Sequence, residues 1–187
     1  MKAIEPDCKK PGSIFNFTNI DIIVSMIYSD ELLNSIKDIL VDNQQTIAIA
    51  ESVTSGNLQA AFSVPMDASK YYQGGITAYN LGQKTRHLNV EPILAQKTNC
   101  IEQRIANTMA LEVSKMFLSN YGIGITGYAA IVPECEEEGL FAYFSLAYEQ
   151  EIVLAKRLTS IEKHPYDVQV NYAQDAIQLV HDYLKSK

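Results

Sequence analysis

The chain has 187 residues, room for one domain of ordinary size with appendages, and its 47% hydrophobic and 20% charged content is that of a folded globular protein. Fifteen Lys and Arg against 22 Asp and Glu leave a net charge of −7, so partners that need a basic field, nucleic acid and anionic membranes, are not expected. Cys8, Cys100 and Cys135 are odd in number and lack the paired spacing of a disulfide framework or a zinc site. Reduced thiols in a cytoplasmic protein are the expectation. Met1 to Gly12 has no apolar signal-peptide core, and Ile20 to Tyr28, broken by Asp21, is too short to span a bilayer.

In chain order, residues 1–19 read as an extended arm, because Pro6, Pro11 and Gly12 oppose regular structure while Ile14, Phe15 and Phe17 could dock on the body. Residues 20–187 form the expected domain. Ser29 offers an N-cap, and Leu32, Leu33, Ile36, Ile39 and Leu40 recur at helical spacing up to about Asp42. Thr46 to Ala50 reads as a buried strand, Ser52 to Gly56 as a tight turn, and Leu58, Ala61 and Phe62 as the start of a helix. A strand is expected over Ile76 to Tyr79, then short helices over Leu81 to Leu88 and Ile93 to Lys97, and a longer amphipathic one from Glu102 to Ser119. Gly122 to Thr126 reads as a strand. Leu140 to Tyr148 and Ile152 to Leu158 read as a hairpin, and Tyr166 to Leu184 as a last helix. Strands alternating with helices predict an α/β domain: a mixed layered sheet with one antiparallel hairpin and helices packed on it.

Three polar clusters follow strands. Ala50-Glu-Ser-Val-Thr-Ser-Gly56 places Ser52, Thr54 and Ser55 just before a helix, where amides and hydroxyls can meet an anion or simply cap. Tyr79, Asn80 and Lys84 follow the second strand, and Thr126-Gly127 ends the third. Ligands of open α/β sheets bind beyond the carboxyl ends of strands, so all three clusters fall where a site belongs. His87, His164 and His181 are dispersed and lack cysteines or carboxylates at ligand spacing. No metal and no cofactor are expected.

Taken in order, these stretches resemble the CinA C-terminal domain, the competence/damage-inducible family of nicotinamide mononucleotide deamidases. Ala50 to Gly56 is similar to its A-E-S-C-T-G-G signature, Tyr72 to Tyr79 with Lys84 to its F-x-G-G-x-x-x-Y and N-E-x-K stretches, and Ile123 to Gly127 to its A-V-T-G strand end. Ser63-Val-Pro65, Leu88-Asn-Val90 and Met109-Ala110 extend the resemblance to about residues 29–184. It implies a compact α/β domain, a homo-oligomer, and a nicotinamide-nucleotide amidase releasing ammonia from the mononucleotide. Ser52 would be the nucleophile, with Lys84 or Tyr79 handling protons, since Ser–Lys pairs are a variant of the serine amidase theme. Thr54 and the amides of Ser55 and Gly56 would hold an anion, with Asn80, Thr126 and Gly127 completing the binding set.

The sequence also departs from that pattern. Val53 replaces the family's cysteine and Ser55 the first glycine of its turn. Residues 128–138 carry no glycine and four glutamates where the family has a glycine-rich loop. The arginines expected near Asp167 and Asn171 are missing. Two readings therefore stand: an amidohydrolase acting on a pyridine nucleotide, or a catalytically inactive relative that serves as a binding or interaction module.

Overall fold

The computed structural model describes residues 27–133 and 136–187. The arm expected over residues 1–19 lies outside them. Helix α1 spans Asp30–Asp42, capped by the Ser29 hydroxyl, which accepts from the Leu32 amide. Strand β1 (Ile47–Glu51) leads into α2 (Asn57–Ser63), and a 3-10 turn (Ala68–Lys70) precedes β2 (Tyr72–Thr77). Then come α3 (Leu81–Leu88), α4 (Pro92–Lys97), α5 (Gln103–Met116) and β3 (Tyr121–Gly127). The hairpin β4 (Leu140–Tyr148) and β5 (Glu151–Ser160) precedes α6 (Pro165–Lys185).

The five strands form one mixed sheet in the order β2-β1-β3-β4-β5. β1 runs parallel to both β2 and β3, whereas β3–β4 and β4–β5 are antiparallel. This is the α/β layered architecture that the alternation of elements predicts. The second strand begins earlier than expected, at Tyr72 rather than Ile76. Gly74 and Gly75 look like a strand entrance in the sequence but lie inside the ladder. At Gly75 a Cβ would come within 2.4 Å of the Ile49 carbonyl oxygen, so the position needs a glycine to let the strands pass.

Period-two alternation explains the two packed faces. Ile47, Ile49, Ile123 and Ile125 join the larger core with residues of α1, α2 and α6. Ala48 and Ala50 face the other way, against Leu88 of α3, Ala95 of α4 and Ile105, Met109 and Val113 of α5. Gly122 and Gly124 of β3 belong to that second face. A Cβ there would fall 2.0 Å from the Ala110 carbonyl oxygen or 2.2 Å from that of Ala106. Helix α5 thus rests almost directly on the sheet backbone. Dispersion falls steeply with separation, so this close fit contributes through contact as well as through burial. No helix among the described residues is long and apolar enough to cross a membrane.

Candidate active site

The chain leaves β1 toward β2 on one side and later returns to place β3 on the other. The carboxyl ends of β1 and β3 therefore flank a switch point, where open α/β sheets form their clefts. A cavity of about 470 Å³ sits there, within the usual range for small-molecule sites. Its lining includes Ser52 and Val53 after β1, Tyr79 and Lys84 around the start of α3, and Thr126 to Ala130 at and beyond the end of β3. Asn99 and Ile101 from the α4–α5 link, Val132 and Pro133, and Pro165 and Gln169 of α6 complete it.

Ser52 and Lys84 meet in this cavity although 32 positions separate them. The Lys84 ammonium donates to the Ser52 hydroxyl at 2.7 Å and to the Tyr79 carbonyl at 3.0 Å. Ser52 Oγ also lies 3.4 Å from that carbonyl, as a donor to it. Both side chains are almost wholly buried, Lys84 at 1% exposure and Ser52 at 6%. Burial disfavours the charged amine and lowers the Lys84 pKa from 10.5 to about 8, a shift that the Cys100 thiolate form would partly oppose. Burial in turn pushes the Cys100 thiol up. A lysine so placed reaches its neutral form near physiological pH and can accept a proton from the adjacent hydroxyl.

Glu51 holds the turn that presents Ser52. Its fully buried carboxylate accepts from the amides of Gly56 at 3.1 Å, Leu58 at 3.0 Å and Gln59 at 2.8 Å. These are the orphan donors at the start of α2. The chain reaches them through Ser55 and Gly56, both in the left-handed region with φ of 52° and 102°. The Ser52 amide is tied to the Ile125 carbonyl at 3.1 Å, which fixes β1 against β3 at the point of interest.

The nine residues singled out from the sequence divide between wall and scaffold. Ser52, Lys84, Tyr79, Thr126 and Gly127 line the cavity, whereas Thr54, Ser55, Gly56 and Asn80 do not. The anion grip expected of Ser55 and Gly56 is taken within the protein. The Ser55 amide donates to the Ser52 carbonyl and the Gly56 amide to Glu51. Thr54 is buried, with its hydroxyl unpartnered among the described residues. Asn80 caps α3, accepting from the Gln83 amide at 3.1 Å. Tyr79 contributes its main-chain carbonyl to Lys84 and Ser52 while its phenol is exposed at the rim. Thr126 donates to the Cys100 carbonyl at 2.9 Å, pinning the α4–α5 link to the end of β3. Gly127 leaves no room for a side chain, since a Cβ would fall 2.5 Å from Ala142 of β4.

Sequence reasoning missed Glu51 as the organiser of the turn. Its signal was an acidic residue closing an otherwise apolar strand, five positions before a helix-start glycine. It also missed Asn99, Ile101, Pro165 and Gln169, which come from segments with no chemical motif. No group of His, Cys, Asp and Glu among the described residues is arranged to hold a metal ion.

A three-layer α/β domain with a buried Ser–Lys pair at its switch point defines the class. The CinA C-terminal domain model matches residues 29–184, and the chain belongs to that family. A CinA-like protein of Prochlorococcus marinus is 40% identical over 102 residues, 54% of this chain and 24% of that protein. A putative competence-damage inducible protein of Natranaerobius thermophilus is 31% identical over 112 residues, 60% of this chain and 27% of that one. The chain thus spans about a quarter of the length of these curated relatives. Among solved structures, a CinA superfamily protein from Klebsiella pneumoniae superposes with a TM-score of 0.75 at 21% identity, covering 84% of this chain and 98% of that one. One from Escherichia coli gives 0.74 at 21% identity, over 91% and 99%.

Proposed function

We propose that the chain is a Ser–Lys amidohydrolase, splitting a primary carboxamide into carboxylate and ammonia, the reaction its family resemblance implies for nicotinamide mononucleotide. The 2.7 Å contact between Lys84 Nζ and Ser52 Oγ, buried in the wall of a cavity, carries this reading. Neutral Lys84 takes the Ser52 proton as Oγ attacks the amide carbon. Val53 follows Ser52 in the cavity wall, and its amide has no hydrogen-bond partner among the described residues. In this reading it donates to the oxyanion, as the residue after a nucleophile does in other hydrolases. Lys84 then returns the proton to the departing nitrogen, ammonia leaves, and an ester on Ser52 remains. Water attacks that ester with Lys84 again as base, releasing the carboxylate and restoring the hydroxyl.

The Tyr79 carbonyl keeps the amine in place through this cycle, since it accepts from Lys84 whether the amine is charged or neutral. A fluorophosphonate should label Ser52 of the full chain, with a rate that rises tenfold per pH unit and levels off above about 8, where Lys84 is neutral. Ser52→Ala should take no label and release no ammonia from the mononucleotide. An unlabelled Ser52 at pH 9 would remove the reading.

A further inference from the structure

A second cavity lies at the opposite end of the sheet from the Ser52–Lys84 pair. It encloses about 410 Å³ between the sheet and the last turns of α1 and α6. Its wall holds Tyr121, which opens β3, Tyr148, which closes β4, and Tyr183 of α6. Tyr121 and Tyr148 are partners across the β3–β4 ladder, with ring centroids 4.6 Å apart. Side chains alternate along a strand, so Tyr121 shares the face of Ile123 and Ile125, toward α1 and α6. Gln45, just before β1, and Asn43, at the C-cap of α1, supply the amides of the wall.

The donors and acceptors of this wall are unevenly used. Asn43 Nδ2 donates to the Ile39 carbonyl at 2.8 Å, and Gln45 Nε2 donates to the Tyr148 hydroxyl at 3.2 Å. The side-chain oxygens of both amides have no hydrogen-bond partner among the described residues. A ligand here meets ring faces and free acceptors, which suits a cation that carries N–H groups. A guanidinium fits best, since it stacks on aromatic faces and donates within its own plane. The protein already holds one cation in this manner. Lys187, the one charged side chain among the described lining residues, has its Nζ 5.2 Å from the centre of the Tyr183 ring. Burial first, then the neighbouring phenols and Glu149, push the Tyr121 phenol up to about 12, so it enters the wall as a neutral ring.

We infer that this cavity is a binding site for a guanidinium group, seated against the tyrosine rings and donating to Asn43 and Gln45, with Lys187 displaced. The site is separate from the Ser52–Lys84 pair and stands whether or not that pair is catalytic. The full chain is titrated with ethylguanidinium, neutral ethylurea and anionic propionate, followed by NMR of the Tyr121, Tyr148 and Tyr183 rings. Those resonances should shift saturably with ethylguanidinium, about tenfold more weakly with ethylurea, and not with propionate. Tyr183→Leu, at a partly exposed position, should weaken the cation about fivefold as read at Tyr148. Lys187→Ala, at an exposed position, should tighten it about threefold by removing a competing charge. Binding of N-acetylarginine amide alongside ethylguanidinium would make a protein's arginine side chain the source of the group. Its exclusion would make the source a free small cation, and either result supports the site. Equal binding of ethylurea, preference for propionate, absence of any saturable shift, or weaker binding by Lys187→Ala would overturn the inference.

Discussion

The two halves of the cavity are built by different means. The half made by the ends of β1 and β3, with α3 and α5 behind them, is fixed by packing. Lys84 is buried against Ser52 and the Tyr79 carbonyl, Glu51 is locked by three amides, and α5 lies against glycines. The half made by Tyr128, Ala129, Ala130, Val132 and Pro133 leaves β3 at Gly127, and Glu136, Glu137 and Glu138 further along the chain are exposed. Under the proposed Ser–Lys reading, reactivity rests on the first half, which holds both members of the dyad. A rigid scaffold carrying a variable loop lets one change with little effect on the other.

The comparison breaks most severely at the sheet. Gly124→Ala would drive a methyl to 2.2 Å from the Ala106 carbonyl and displace α5, with an expected loss of about 3 kcal/mol of stability by urea unfolding. Glu51→Gln keeps the shape but turns an NH2 toward a backbone donor. One of the amide sites is then left unsatisfied, for about 2 kcal/mol. Labelling of Ser52 should fall with it, because the turn loosens.

Lys84→Met tests the packed half in the opposite direction. The folded amine has a pKa near 8 and the unfolded one near 10.5, so the unfolded chain binds more protons between those values. The cost of burying the charge is complete below pH 8, about 3 kcal/mol, and fades as pH rises through 10.5. Met removes that cost and gives up the bonds to Ser52 and Tyr79. The variant should therefore be inert yet about 1–2 kcal/mol more stable at pH 7, with the gain shrinking toward pH 10. A less stable variant at pH 7 would mean that the hydrogen bonds outweigh the buried charge. Beyond the loop half, Glu138→Gln breaks an exposed pair with Arg157 and should shift stability by no more than about 0.5 kcal/mol.

The layered fold was legible because its strands alternate large and small residues and its helices show apolar stripes. The strand boundary at Tyr72 was not, because Gly74 and Gly75 carry the same letter whether they break a strand or thread it past a neighbour. Within the site, Ser52 and Thr126 were legible as polar residues at strand ends, and Lys84 as part of the polar cluster that follows the second strand. The partners that orient them are main-chain carbonyls of Tyr79 and Cys100, and a carbonyl has no side-chain identity to read. Asn80 and Ser55 looked alike on paper to the lining residues, yet one caps a helix and the other turns the chain. Only the direction of the backbone separates these roles.

The contact of α5 with Gly122 and Gly124 also governs how such a sequence can drift. On the isoleucine face a lost methyl can be made good by a gained one across the core, so many compositions are interchangeable. At Gly122 and Gly124 there is no smaller residue to trade, and every mutation of either adds volume. The link leading into α5 carries Asn99 and Ile101 into the cavity wall, so each such addition would also reshape the site. Neutral change is thereby steered away from these two positions, which act as a ratchet with a single permitted setting.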